Sequence, residues 1–268
     1  MAALAISVDT REIIAGPLSL PGRAGCWHCA RTRMAGAEAA ARAMGEEIPA
    51  TGSRAPLEAA ARALIDLDEG QFLDHVLIVD GATERASFHR VIPLAECPVC
   101  GGAAKFPREE KGAGVRLSEE DSPESVLAAL DGWVGPRTGI IPRIAVEEQE
   151  TEVLVVTAAP PYLPPRRFPI GWGKGLTLSG ALLSAVGEAI ERYAPSLADA
   201  RRIVWKRADE LDGEWLDPRE FALYTTAQYE REGFPFVRFD PGVCHPWVRG
   251  NWLGSGEPVW TPAVLAYL

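Results

Sequence analysis

Two short cysteine pairs constrain this chain more than any other feature. Cys26-Trp-His-Cys29 and Cys97-Pro-Val-Cys100 stand about 67 residues apart. A C-x-x-C turn puts two sulfurs on one side of a tight loop, so two such turns can supply four ligands to one tetrahedral ion. Any fold the chain adopts must then bring two distant segments together, a longer reach than in compact zinc ribbons. Gly101 and Gly102 let the chain leave the crowded second turn. Paired disulfides would suit a secreted protein, and a redox pair would need only one copy of the motif. Four cysteines without a histidine favour a closed structural zinc site over a catalytic one with an open position. Cys244 reads as a small core residue, His28 as exposed, and His75, His89 and His245 have no ligating spacing.

The compartment is bounded by the rest of the chain. Its 268 residues are 47% apolar and 24% charged, enough for one large or two medium domains. A net charge of −10 implies no general affinity for nucleic acid. The opening MAALAISVDTREII has no basic leading region, and Asp9 and Arg11 interrupt its apolar run, so it is not a signal peptide. HVLIVDG and TEVLVVTAAP are strand-length and too short to span a membrane. A reducing cytoplasm is therefore expected, where clustered cysteines point to metal before disulfide.

Composition separates three zones. The first, from Met1 to about Lys111, holds the cysteine pairs, an alanine-rich helix near Ala35–Met44, a helix near Pro56–Asp66, the strand HVLIVDG and a strand over Ser87–Ile92. A glycine-rich, charged linker covers about Gly102–Asp121. Ser122 then suits an N-cap, Pro123 the first helical position and Glu124 the positive helix end. The third zone has strand-like runs at GPRTGIIPRI, TEVLVVTAAP and RIVWKRADEL, and closes on the buried-looking run VWTPAVLAYL.

The stretch GWGKGLTLSGALLSAVGEAIERYA, from Gly171 to Ala194, carries the richest chemistry. Read as a glycine-rich turn leading into a helix over Ser179–Tyr193, it puts Leu182, Ala185, Val186, Ala189, Ile190 and Tyr193 on a core stripe. Ser184, Glu188 and Glu191 step by four and three residues along a second face. A hydroxyl and two carboxylates suit magnesium, which takes oxygen ligands and shares them with phosphates, and Lys174 in Gly-Lys-Gly adds a cation beside them. Two readings stay open on spacing alone. Glu188 and Arg192 also form an i, i+4 pair of an ordinary solvated face, and Gly-Lys-Gly is not a Walker loop.

These residues resemble a specific family. Gly-Lys-Gly, then Ser-Ala, then Glu-Ala-Ile-Glu-Arg-Tyr is similar to the nucleotide signature of the YcaO family. LDPREFALYTTAQYEREGFPFVRFD and WVRGNWLGSGEPVWTPAVLAYL resemble the family's segments downstream of that signature. GPLSLPGRAGCWHC with HRVIPLAECPVCG resembles the ubiquitin-activating-enzyme-like domain fused to YcaO in cyclodehydratases that make thiazole/oxazole-modified peptides. The resemblance implies a mixed α/β (α+β) chain: residues 1–111 a zinc-stapled ubiquitin-activating-enzyme-like segment, residues 112–268 the N-terminal part of a YcaO domain. It implies ATP-dependent cyclodehydration of Cys, Ser or Thr in a ribosomal precursor peptide, in a homodimer. Ser184, Glu188, Glu191, Lys174 and Arg192 would serve ATP and Mg2+, and Cys26, Cys29, Cys97 and Cys100 would hold Zn2+. Relative to such fusions the chain looks cut at both ends, without a leader-binding module and without the rest of the nucleotide shell. Taken alone it is expected to be inactive, or completed by a partner protein. Two other readings are a non-catalytic docking partner of an active YcaO enzyme and a thioamide-forming enzyme.

Overall fold

The computed structural model describes residues 2–8, 11–46, 69–95, 97–101, 116–147, 152–163, 166–167, 169–196, 202–221 and 223–267. The chain divides into two compact units, Met1–Ala194 and Pro195–Leu268. The helix expected near Pro56–Asp66 and most of the linker lie outside the described residues, and the boundary proposed at residue 111 falls among them.

The first unit begins with an antiparallel sheet of β1 (Ala3–Val8), β2 (Glu12–Ser19), β3 (His75–Asp80) and β4 (Ala86–Arg90), in that order. The central strands β2 and β3 alternate between two apolar faces, as the pleat requires. Ile14, Val76 and Ile78 face a cluster that contains the four paired cysteines. Ile13, Ala15, Leu77 and Val79 face a second cluster with Phe72. Over the first face lies α1 (Trp27–Ala43). It starts eight residues before the expected Ala35, because Cys26 takes an extended N-cap conformation (φ −150°, ψ 172°) and its carbonyl accepts from Ala30 N–H at 3.2 Å. The first cysteine pair is thus the opening turn of a helix and not a loop.

Past the linker, Ser122 caps α2 (Pro123–Ala129) as expected, its hydroxyl accepting from Ser125 N–H at 3.2 Å. The turn after α2 is keyed into the first sheet. Arg137 donates to the buried Glu12 carboxylate at 2.6 and 2.7 Å, and Thr138 donates to the Arg90 carbonyl at 2.7 Å. A second antiparallel sheet orders β5 (Arg143–Glu147), β6 (Leu154–Ala159) and β9 (Gly171–Gly175). Between them a two-residue hairpin pairs β7 (Tyr162–Leu163) with β8 (Arg166–Arg167).

The expected glycine-rich turn at Gly171–Gly175 is therefore a strand. Its alternate positions explain why. Any Cβ at Gly171 or Gly173 would overlap the carbonyls of Ala185 or Ala181, and one at Gly175 would sit 2.8 Å from Ala181 N. The glycines let the backbone of α3 (Leu178–Tyr193) lie directly on β9. That approach takes up the three glycines of Gly-Trp-Gly-Lys-Gly in packing and not in a phosphate cradle.

The second unit packs β10 (Val204–Lys206), β11 (His245–Asn251) and β12 (Pro258–Pro262) as an antiparallel sheet. Trp247 and Trp260 anchor its core with Ala208, and their indole N–H groups donate to the Lys206 and Asp212 carbonyls at 2.9 and 3.1 Å. Two expectations fail here. Cys244 is exposed, lying between the turn at Asp240–Val243 and the start of β11. Of the closing run, Val259, Trp260 and Ala263 are buried while Val264 and Leu265 are exposed, since the chain leaves β12 into a single 3-10 turn. No described helix is long and apolar enough to cross a membrane.

Candidate metal centre and acidic helix face

The fold closes the cysteine staple. Cys26 and Cys29 come from the first turn of α1, and Cys97 and Cys100 from a turn beyond β4. Their sulfurs all lie within 4.8 Å of one another, with Cys26–Cys97 and Cys29–Cys100 at 3.7 Å and Cys26–Cys29 at 3.9 Å. Ligands at about 2.3 Å around a tetrahedral zinc stand about 3.8 Å apart, so the cluster fits that ion. All four are buried, and all are free thiols. Burial pushes the Cys26 and Cys29 thiols above their ordinary range, with the other cysteines adding to the rise. Binding a divalent ion must therefore displace protons, which ties affinity to pH. Leu94 N–H points at Cys29 Sγ from 3.4 Å, a backbone donor that suits a thiolate. Gly101 leaves the second turn at φ +76°, the left-handed region where glycine carries no steric penalty.

A residue that no sequence motif marks sits one turn beyond Cys29. Arg33 is 1% exposed, although arginine in an alanine-rich helix reads as surface. Its Nε donates to the Ile92 carbonyl at 3.1 Å and its NH1 to the Tyr193 hydroxyl at 2.8 Å. The guanidinium also lies 5.6 Å from the Tyr193 ring centre. Its register could have revealed it: Arg33 falls four residues after Cys29, on the buried side of α1 with Ala30, Met34, Ala37 and Ala41.

The second candidate site lies on α3. Thr177 caps the helix, accepting from Gly180 N–H at 3.1 Å, so it starts one residue before the expected Ser179. Leu182, Ala185, Val186, Ala189 and Tyr193 are buried as expected, and Ile190 is half-buried. Ser184 and Glu191 are exposed, and Glu188 is half-buried between them along the same face. Glu188 already has partners. It accepts from Arg192 NH2 and from Trp172 N–H at the β9 edge, both at 2.5 Å, while Arg192 NH1 donates to the Ile170 carbonyl at 2.8 Å. Lys174 is exposed but stands on the side of β9 opposite Gly173 and Gly175, away from α3. The structure thus gathers Ser184, Glu188, Glu191 and Arg192 on α3 and leaves Lys174 apart. An apolar cavity of about 350 Å³, lined by Leu127, Val134, Ile144, Val156, Leu178 and Leu182, belongs to the core side of the helix and has no acidic lining residue.

Comparison with known proteins now bears on both sites. The fold is that of heterocyclases. A heterocyclase solved in complex with substrate and cofactor superposes with a TM-score of 0.66 at 18% identity, covering 98% of this chain. The heterocyclase TruD superposes at 0.54 and 21%, covering 99%. The chain spans 42% and 39% of the lengths of those two proteins. Residues 172–268 match the family model described as YcaO cyclodehydratase, ATP- and Mg2+-binding. No curated protein matches the chain.

Proposed function

We propose that the chain belongs to an ATP-dependent cyclodehydratase acting on a ribosomally made precursor peptide in the cytoplasm. The observation that carries this is the family match over residues 172–268, together with Ser184, Glu188 and Glu191 on one outward face of α3. In the proposed reaction a Cys thiol, or a Ser or Thr hydroxyl, of the peptide adds to the preceding amide carbonyl. ATP, a co-substrate, takes the amide oxygen away as phosphate and leaves ADP and an azoline ring. The contribution of this chain is placement and charge neutralisation, which suffice for phosphoryl transfer. Glu188 and Glu191 would hold magnesium, Ser184 would lie against the nucleotide, and Arg192 would supply positive charge, whereas Lys174, on the opposite side of β9, would take no part at that face. Cys26, Cys29, Cys97 and Cys100 would hold one structural zinc. The remaining nucleotide ligands and the leader-binding module would come from further sequence or from a partner, and a homodimer fits the family reading.

A second reading, a zinc-stapled docking protein for an active enzyme, draws on Glu188 being already satisfied by Arg192 and Trp172 N–H. Calorimetry with magnesium-ATP separates the two. The proposal expects binding that is lost in Glu188→Gln and Glu191→Gln; unchanged binding in both variants leaves the docking reading. Mass spectrometry of a peptide treated with the assembled enzyme then tells loss of one water from exchange of oxygen for sulfur, the product of a thioamide-forming relative.

A further inference from the structure

We propose that Arg33 is a positioning residue that couples occupancy of the four-cysteine site to the placement of the last turns of α3. The nucleotide consequence rests on the function proposed above; the structural consequence does not.

Three observations converge on Arg33. It stands on α1, which Cys26 caps and Cys29 joins in its first turn, and it lies one turn from Cys29, roughly 6 Å along the axis. Its Nε holds the carbonyl of Ile92, at the head of the segment that gives Leu94 N–H to Cys29 and then supplies Cys97 and Cys100. Its NH1 holds the hydroxyl of Tyr193, the last residue of α3, which is 4% exposed. One guanidinium thus touches the cysteine segment and the end of the helix that carries Glu188 and Glu191.

Charge gives the link its direction. A buried cation is costly unless something compensates it. Among the described residues the guanidinium meets a carbonyl, a hydroxyl and an aromatic face, and no carboxylate. Four thiolates around one divalent ion leave a net double negative charge, one helical turn from Arg33. A filled cysteine site therefore favours Arg33 in its buried position, and Arg33 in that position fixes Tyr193. Emptying the site removes that charge and the fixed approach of the Ile92–Cys100 segment together. By linkage, whatever fixes α3 from outside must in turn tighten metal retention.

Amide exchange on the full chain tests this, with metal removed by a chelator in one arm. In the unsubstituted protein, chelation should raise exchange over residues 189–193 about tenfold, within the usual range of coupling between sites. Arg33→Met should show that exchange before chelation, and chelation should add little to it. Tyr193→Phe keeps the ring and loses only the hydroxyl, so it should give a smaller rise and faster metal loss to the chelator, even if Arg33→Met does not fold. An equal response to chelation in variants and parent, or none in the parent, overturns the coupling. Magnesium-ATP affinity is read in parallel. If the parent binds no nucleotide but its α3 responds to chelation through Arg33, the proposed function falls and the coupling stands. If nucleotide binds but exchange over residues 189–193 ignores both chelation and Arg33, the coupling falls and the proposed function stands.

Discussion

The two candidate sites are built in opposite ways. The cysteine cluster lies inside the molecule, with four buried sulfurs at ligand spacing and a backbone N–H aimed at one of them. The acidic face of α3 lies outside, with Ser184 and Glu191 exposed and Glu188 tied to its own helix and the β9 edge. The first geometry is that of a group whose binding energy is folding energy. The second is that of an outward polar face, for which a ligand is proposed above. Substitutions should therefore cost stability at the first site and binding at the second.

The largest effect is expected at the staple. Cys97→Ser should abolish metal retention, measured as about one zinc per chain in the parent and none in the variant. Thermal unfolding should fall by about 10 °C, because a metal held only by the folded form adds about 4 kcal/mol at a free concentration about 1,000 times its Kd. A parent that binds no metal, or a variant with unchanged melting, breaks the comparison at its strong end.

Next comes the surface that supports the acidic face. Gly173→Ala would drive a methyl into the Ala181 carbonyl, backbone against backbone, so neither side can yield cheaply. A loss of about 3 kcal/mol or more is expected in denaturant titration, the size of a severe overpacking effect. Gly187 in α3 is the control, with open space where its Cβ would be. Gly187→Ala should stabilise by up to about 1 kcal/mol through helix propensity alone.

That pair shows what the sequence could and could not reveal. Apolar spacing placed α3 to within one residue, Ser122 marked the start of α2, and HVLIVDG marked β3, because those signals are local. Gly-Trp-Gly-Lys-Gly did not read as a strand, because glycine at alternate positions erases the apolar alternation that marks one. Its strand character comes from the α3 backbone lying on it, a relation between two segments. Arg33 escaped for the same reason: its partners, Ile92 and Tyr193, are remote in sequence. The cysteine pairs were legible as one cluster of four sulfurs but not as a helix start, since nothing in Cys-Trp-His-Cys shows which backbone carries it. The polar stripe of Ser184, Glu188 and Glu191 came from helix period, whereas Lys174 could be assigned to a face only once β9 was known.

A smaller effect is expected from His89 on β4. Burial, reinforced by the Arg137 charge, depresses its pKa to about 4. The folded state therefore resists protonation that the unfolded chain accepts near pH 6.5. Stability should be unaffected above that value, fall as pH drops through it, and level off below about pH 4, with a total loss of up to about 3 kcal/mol. His89→Gln should flatten that slope in urea titrations run from pH 7 to pH 4; a slope unchanged by the substitution would show that other groups carry it.

The smallest stability effects belong to the acidic face, and they sharpen the contrast most. Glu191 is exposed, so Glu191→Gln should move the unfolding free energy by less than about 0.5 kcal/mol. Glu188→Gln gives up an i, i+4 ion pair with Arg192, worth about 0.3–0.5 kcal/mol, and weakens a hydrogen bond from Trp172 N–H. Stability should thus rank Glu188→Gln slightly below Glu191→Gln, while magnesium-ATP affinity should fall in both. If both variants lose stability together and nucleotide binding stays intact, α3 is only a packing element and its outward carboxylates are an ordinary solvated face. If binding falls while unfolding barely moves, the carboxylates of that face act on a ligand. The pairing of Glu188 with Arg192 is then the resting arrangement that magnesium must displace, and Arg192→Gln, which removes that ion pair and leaves the Trp172 N–H bond, should lower the concentration of magnesium alone needed for half-saturation while it weakens affinity for ATP.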